Sequence, residues 1–478
     1  MRLLKEFDQR DQLEIGRELH RFAAELYPIC RSITGDGIRQ TLALIQARIP
    51  LQLSEVPSGT PVFDWIVPKE WNIRDAYIKG PDGKRVVDFR QHSLHILNYS
   101  TPVHAIMPLS QLKPHLFTLP ENPGWIPYRT SYYQENWGFC MSHNQMLTLT
   151  DGDYEVCIDS TLGDGHLVYG ECYLPGRSKD EVLISCHACH PSLANDNLSG
   201  LCVATSLAKF LSGRDPHYSY RFLFIPGTIG AITWLARNRE PAERIRHGLV
   251  LTCIGDAGGF HYKKSRREDA EIDKVVEHVL RQTDEPAEVL EFSPDGYDER
   301  QYCSPGFDLP VGCLMRSVWG NFPEYHTSAD NLDFIQPQQL ARSLRVCAAI
   351  LDVLEDNRRY RNLNPFCEPQ LGRRNLYHPV GGHAPGVEIS ARLWVLNLSD
   401  GEHSLLDIAE RSGLTFAAIR DAAELLSENK LLALIPEDLT AETKTVTAMK
   451  ADQSADLHSK AGEGLATLNS GTKGLPRK

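Results

Sequence analysis

Between residues 13 and 48 apolar side chains recur at helical spacing on both sides of Ser32-Ile-Thr-Gly-Asp-Gly37. The Gly and Asp residues of that stretch punctuate as turns do, so two helices with a tight connection are expected. From about 62 to 150 the texture shortens to alternating runs, such as 72–78 and 93–97, set among Pro, Gly and Asp. That pattern predicts a small, mostly β unit. Beyond 153 short strands become continuously apolar and alternate with helical stretches: 182–186, a helix over 199–211, 221–225, a helix near 231–238, then 249–254. Apolar runs without alternation mark strands covered on both faces, and their alternation with helices marks an α/β sheet. The chemistry of such a sheet lies at the carboxyl ends of its strands.

A Pro-, Gly- and Arg-rich stretch over 361–386 reads as a linker. Three helical pieces follow, 388–397, 404–412 and 415–429, broken at Gly401 and Gly413, and then an apolar run over 431–435. Short helices ending in a strand predict a winged helix over 387–440. From 441 to 478 the chain is rich in Lys, Ser, Thr, Gly and Ala without periodicity, which predicts disorder. The expected α/β domain comprises 1–61 and 151–360, with the β unit, 62–150, inserted into it.

Length adds that 478 residues suffice for about three units. The 50 Lys and Arg against 62 Asp and Glu give a net charge of −12, so nucleic acid is a poor first guess for a partner. The first 20 residues alternate charged with apolar positions and lack the apolar core of a secretory signal. The longest uncharged apolar run, 222–236, is interrupted by Pro226, Gly227 and Gly230 and is too short to span a bilayer. The 12 cysteines are scattered with no disulfide framework, so reduced thiols and the cytoplasm are expected.

The strand 182–185 runs into Cys186-His-Ala-Cys-His-Pro191, and Asn195-Asp-Asn-Leu-Ser-Gly200 opens the next helix. Imidazole and thiol groups at a strand end, with a carboxylate folding back on them, suit zinc or a similar divalent ion. His187 and His190 could equally be polar caps, and Asp196 the cap of its helix. Downstream, Pro323-Glu-Tyr-His-Thr-Ser-Ala-Asp-Asn-Leu-Asp333 brings another His beside carboxylates, before a helix over 337–354. Three ligands are the minimum for a catalytic metal site with an open position.

The order of strand, His187, Asp196-Asn-x-Ser-Gly200 and Tyr325-His-Thr-Ser-Ala-Asp330 resembles the zinc aminopeptidase superfamily, which includes bacterial leucyl aminopeptidases and glutaminyl cyclases. More closely, it is similar to bacterial proteins with an aminopeptidase-like domain, a nested β domain and a C-terminal winged helix, linked to polysaccharide biosynthesis. The resemblance implies a mixed α/β sheet flanked by helices, with His187 the first ligand, Asp196 the bridging carboxylate, and Tyr325-His326-Thr327 the closing loop. Active members carry an acidic pair after the next strand, where this chain has Pro226-Gly-Thr-Ile-Gly230. Thr252 stands where a further Asp is expected, and Cys189 where an Asp often follows the first His. One zinc ion held by His187, Asp196 and His326 is therefore expected rather than two, with His190, in the turn before Pro191, touching substrate or orienting a ligand.

Hydrolysis also needs a proton acceptor near the bound water. Glu324 and Glu299 are the candidates, while Asp298, Arg300 and Tyr325 are expected to contact substrate. Arg266 and Arg267 suit an anion or a solvated basic loop equally. The aromatic segment 132–140 is rich enough to roof a pocket, although such density is more often core. The expected function is hydrolysis of an amide or peptide bond in a small substrate. The alternative is a catalytically degenerate metal-binding partner in polysaccharide biosynthesis. Between 387 and 438 ten acidic residues face four basic ones, so the winged helix is expected to dock on protein rather than on nucleic acid. No membrane partner is expected, and the chain could form a homo-oligomer.

Overall fold

The computed structural model describes residues 2–376 and 386–436. The second part of the expected linker, 377–385, and the expected tail lie outside the described residues. The chain divides into two compact units, one ending at Glu355 and the other beginning at Asp356.

In the first unit an eight-stranded mixed sheet runs in the order Gln52–Pro57, His166–Leu174, Ser219–Ile225, Glu181–His187, Ile245–Leu251, Val311–Met315, Phe260–Lys263, Ala287–Leu290. The four middle strands are mutually parallel. Every residue of Glu181–His187 and Ser219–Ile225 is buried, which is why 182–184 and 222–225 read as apolar runs without alternation. The helices Gln12–Leu26, Gly200–Leu211, Ile229–Arg237, Glu271–Arg281 and Pro337–Asp356 follow the helical spacing of their apolar positions, and Asp11 caps the first through the backbone amides of Leu13 and Glu14.

A second sheet of four antiparallel strands has the order Arg85–Asp88, Glu70–Lys79, Asp153–Gly163, Val103–Pro108. Its strand Asp153–Gly163 pairs along nearly its whole length with Glu70–Lys79, so the inserted sheet reaches beyond residue 150. Within the second unit the helices are Val387–Leu398, Leu405–Ser412 and Phe416–Glu428, and the sheet pairs Arg359–Asn362 with both Asp400–Ser404 and Leu432–Leu434. A strand thus occupies residues that the composition assigned to the start of the linker. Among the described residues no helix is long and apolar enough to cross a membrane. All 12 cysteines are free thiols.

Candidate metal centre

His187 is the last residue of the buried strand Glu181–His187, at its carboxyl end. Asp196 lies in the kinked turn Ala194–Ser199, which leads directly into the helix Gly200–Leu211. A Cβ on Gly200 would stand 2.4 Å from Asn197 Oδ1 and 2.5 Å from the Leu251 carbonyl, so only glycine lets that helix start so close to the sheet. The Asp196 carboxylate gathers three imidazoles: His187 Nε2 is 2.7 Å from Oδ1, while His190 Nδ1 and His326 Nε2 stand 3.2 and 3.0 Å from Oδ2. One ligand atom each from His187, His190 and Asp196 fits within a 4.8 Å spread.

This is a correction to the expected division of labour between the two histidines. His190 stands inside the cluster beside His187, because Ser192, with φ of 44°, turns the chain back after the strand and the buried Arg31 guanidinium donates to the His190 carbonyl at 2.8 Å. His326 itself adopts φ of 56°, a left-handed conformation that a non-glycine residue rarely holds unless its surroundings enforce it. Those surroundings are visible. Tyr325 stacks on the His326 ring at 3.9 Å, and Tyr128 meets it edge-on at 5.1 Å. The His326 carbonyl accepts from the Tyr128 amide at 2.7 Å, the Ser328 amide donates to the Ile126 carbonyl at 2.9 Å, and Ser328 Oγ accepts from the Ile126 amide at 2.9 Å. The inserted β unit therefore supplies the backing of this loop.

Three of the side chains, His187, His326 and Asp196, are shifted toward the deprotonated forms that bind a metal. Burial pushes His187 down to about 4 and lowers His326 as well. Burial opposes ionisation of Asp196, but the charges and hydrogen bonds of His190 and His187 outweigh it and hold the carboxyl well below its ordinary value. Imidazole nitrogens gathered on one carboxylate are the donor types a zinc-type ion takes.

The remaining candidates separate. Glu299 is buried in an ion pair with Lys263 at 2.6 Å and also accepts from the Tyr297 amide, so it is not free to take a proton from water; that expectation is corrected. Arg266 and Arg267 both pair with Asp308. Asp298 is buried with neither carboxylate oxygen hydrogen-bonded among the described residues, and burial raises it well above its ordinary value; it offers no surface to substrate. Glu324 is partly exposed on the His326 loop, and its carbonyl accepts from the Thr327 amide and hydroxyl. Arg300 is exposed at the rim of a cavity of about 230 Å³, beside Tyr297.

Tyr297 was missed by sequence reasoning, and its only signal was its place before Asp298. Its ring lies 3.9 Å from that of His187, and its hydroxyl is 3.0 Å from His190 Nε2. A Cβ on Gly227 would stand 2.3 Å from the Tyr297 ring and 3.0 Å from His187 Cβ. The position from which active aminopeptidases are expected to project an acid is thus filled by a phenol.

A mixed sheet with this crossover order, whose central strand ends in a histidine beside an Asp-Asn turn, defines an aminopeptidase-like α/β protein. The zinc aminopeptidase BSAP of Bacillus subtilis shares the fold at a TM-score of 0.51 and 12% identity, over 72% of this chain and 95% of that one. A peptidase M28 precursor of Shewanella amazonensis gives 0.51 and 14%, over 74% and 96%. Residues 20–357 match the family described as a domain of unknown function, DUF4910, and residues 358–434 match a winged helix-turn-helix family. The chain belongs to the DUF4910 family. A Clostridium acetobutylicum protein provisionally named a polysaccharide biosynthesis protein with aminopeptidase-like domain is 52% identical over 424 residues, 88% of this chain and 97% of that one. A crystal structure of a provisionally named peptidase from Clostridium acetobutylicum superposes at a TM-score of 0.86 and 50% identity, covering 90% of this chain and all of the other.

Proposed function

We propose that this chain is a metal-dependent hydrolase of an amide bond that holds one zinc ion among His187, His190, Asp196 and His326. The observation that carries the reading is the single buried carboxylate with imidazole nitrogens on both of its oxygens. Zinc bound there would polarise the substrate carbonyl and acidify a bound water. The chain's own residues do the rest. Were Nδ1 of His190 to hold the metal, Nε2 would keep the ring proton and donate to the Tyr297 hydroxyl 3.0 Å away. The phenol, raised well above its ordinary value chiefly by burial, keeps its own proton and can donate it to the oxygen that becomes negative as the carbonyl is attacked. Glu324 takes the water proton and delivers it to the leaving nitrogen; the water oxygen bonds to the acyl carbon and the C–N bond breaks.

A second reading, a catalytically degenerate metal-binding partner in polysaccharide biosynthesis, is favoured by Tyr297 filling the space beside Gly227. The name of the Clostridium relative supports that setting. Metal analysis of protein purified without chelator, coupled to a panel of amides scored for released amine, separates the two. Stoichiometric zinc with chelator-sensitive release supports hydrolysis. Stoichiometric zinc with no release across the panel supports the second reading, and metal-free protein of unchanged melting temperature refutes both.

A further inference from the structure

The cavity of about 230 Å³ next to Tyr297 is walled by Trp65, Tyr132 and Tyr133 of the inserted unit and by Thr228, Tyr297 and Arg300 of the α/β domain. Its lining contains no carboxylate, and its one formal charge is the Arg300 guanidinium. Arg300 makes no hydrogen bond or ion pair among the described residues, whereas its basic neighbours Lys263, Arg266 and Arg267 are all paired. Asp298, the adjacent acid, is buried outside the lining of the cavity and makes no hydrogen-bonded ion pair with Arg300 among the described residues.

The aromatic walls point the same way. Trp65 and Tyr133 are large apolar groups left 46% and 50% exposed, with ring centroids 5.5 Å apart, and Tyr133 holds φ of 64°. Exposed aromatics at the mouth of a concave site offer flat faces to a ligand ring. An engineered cavity of about 150 Å³ accepts benzene, so this one has room for a ring and several further atoms.

A free α-amine would bring a cation to a pocket that already holds an unpaired cation and no acid. A carboxylate would meet a planar two-pronged donor. We propose that the substrate of this centre is an acylated amino compound carrying a carboxylate and a ring, the carboxylate bound by Arg300 and the ring lying against Trp65 and Tyr133, and not a peptide with a free amino terminus. The inference rests on the hydrolase reading for its reaction but not for its binding preference.

The test is calorimetric titration of the zinc-supplemented full chain with three probes: N-benzoylglycine, its neutral methyl ester, and phenylalanine amide, which carries a ring and an ammonium group. N-benzoylglycine is expected to bind at least tenfold more tightly than either of the others. Arg300→Ala is expected to reduce that advantage below twofold, and Arg300→Lys to restore part of it. Trp65→Ala is expected to weaken N-benzoylglycine and its ester alike, about tenfold. Tightest binding of phenylalanine amide, no binding of any probe at millimolar concentration, or an Arg300→Ala variant that keeps the carboxylate preference overturns the inference. Because binding is read without turnover, a protein that prefers N-benzoylglycine yet releases no amine would count against the hydrolase reading alone.

Discussion

The carboxylate of Asp330 accepts the backbone amide of Asp196 at 3.0 Å and that of Asn195 at 2.6 Å, while the Asp330 carbonyl accepts from the Ala194 amide at 3.0 Å. The loop that carries His326 and the turn that carries Asp196 are thereby one rigid piece, although 134 residues separate Asp196 from Asp330. Asp330→Ala strands two buried amides, which costs about 2–3 kcal/mol of stability. It also frees the carboxylate around which the histidines gather, so zinc affinity should fall about 10–100-fold. Zinc titration with a competing chelator, alongside urea unfolding, reads both effects.

Replacement of the donors themselves should be graded. Asp196→Ala removes the one group that all three imidazoles face and should abolish bound zinc. His187→Ala, His190→Ala and His326→Ala should each lower zinc stoichiometry after dialysis. Retention of full zinc by His190→Ala would return that residue to a purely substrate-facing place.

Acidification of the metal-free protein tests the buried imidazole. His187 titrates at about 4 in the folded chain against 6.5 for the free side chain, so between these values the unfolded chain binds the extra proton. Its contribution is therefore fully present above about 6.5 and is lost as pH falls toward 4, amounting to about 3 kcal/mol. Urea midpoints of chelator-treated protein at pH 7 and pH 5 should show the loss, and His187→Gln should show less of it.

Gly227→Ala should destabilise the fold by about 1–3 kcal/mol, since the new Cβ would stand 2.3 Å from the Tyr297 ring. Tyr297→Ala made in the same chain should recover part of the loss in thermal unfolding, because it removes the atoms in collision. Additive losses would show that the two residues do not share that space.

The winged helix should bind duplex DNA no more tightly than nonspecific competitor at physiological salt. In its helix Phe416–Glu428 the one basic residue, Arg420, is already engaged by Asp421 and Asp356. Fluorescence anisotropy with labelled duplexes checks this; a steep salt dependence of tight binding would contradict it.

Much of the fold was legible because burial on both faces writes an unmistakable pattern: 182–186 and 221–225 lie inside the strands Glu181–His187 and Ser219–Ile225, and the helix expected over 199–211 is Gly200–Leu211. Asp153–Gly163 was harder. Its alternation of Tyr154, Val156 and Ile158 with polar residues is that of a half-buried strand, but its nearest neighbour in sequence is the strand His166–Leu174 of the other sheet. Arg359–Asn362 and Asp400–Ser404 carry scarcely any apolar signal, being RYRN and DGEHS, and are strands only because of their partners. In the site, His187, Asp196 and His326 could be read from motifs. His190, Tyr297 and Arg31 owe their places to turns and to long-range packing, which one-dimensional spacing does not encode.

The hydrogen bonds between Ile126, Tyr128 and the His326 loop bear on how this architecture can be remodelled. An insertion that merely decorates a domain can be cut out and the ends rejoined. Here excision would remove the backing of His326 and three aromatic walls of the neighbouring cavity together. Neither segment can be grafted alone without separating the His326 loop from the amide and carbonyl groups that hold it, so for redesign the two form one unit despite their separate sheets.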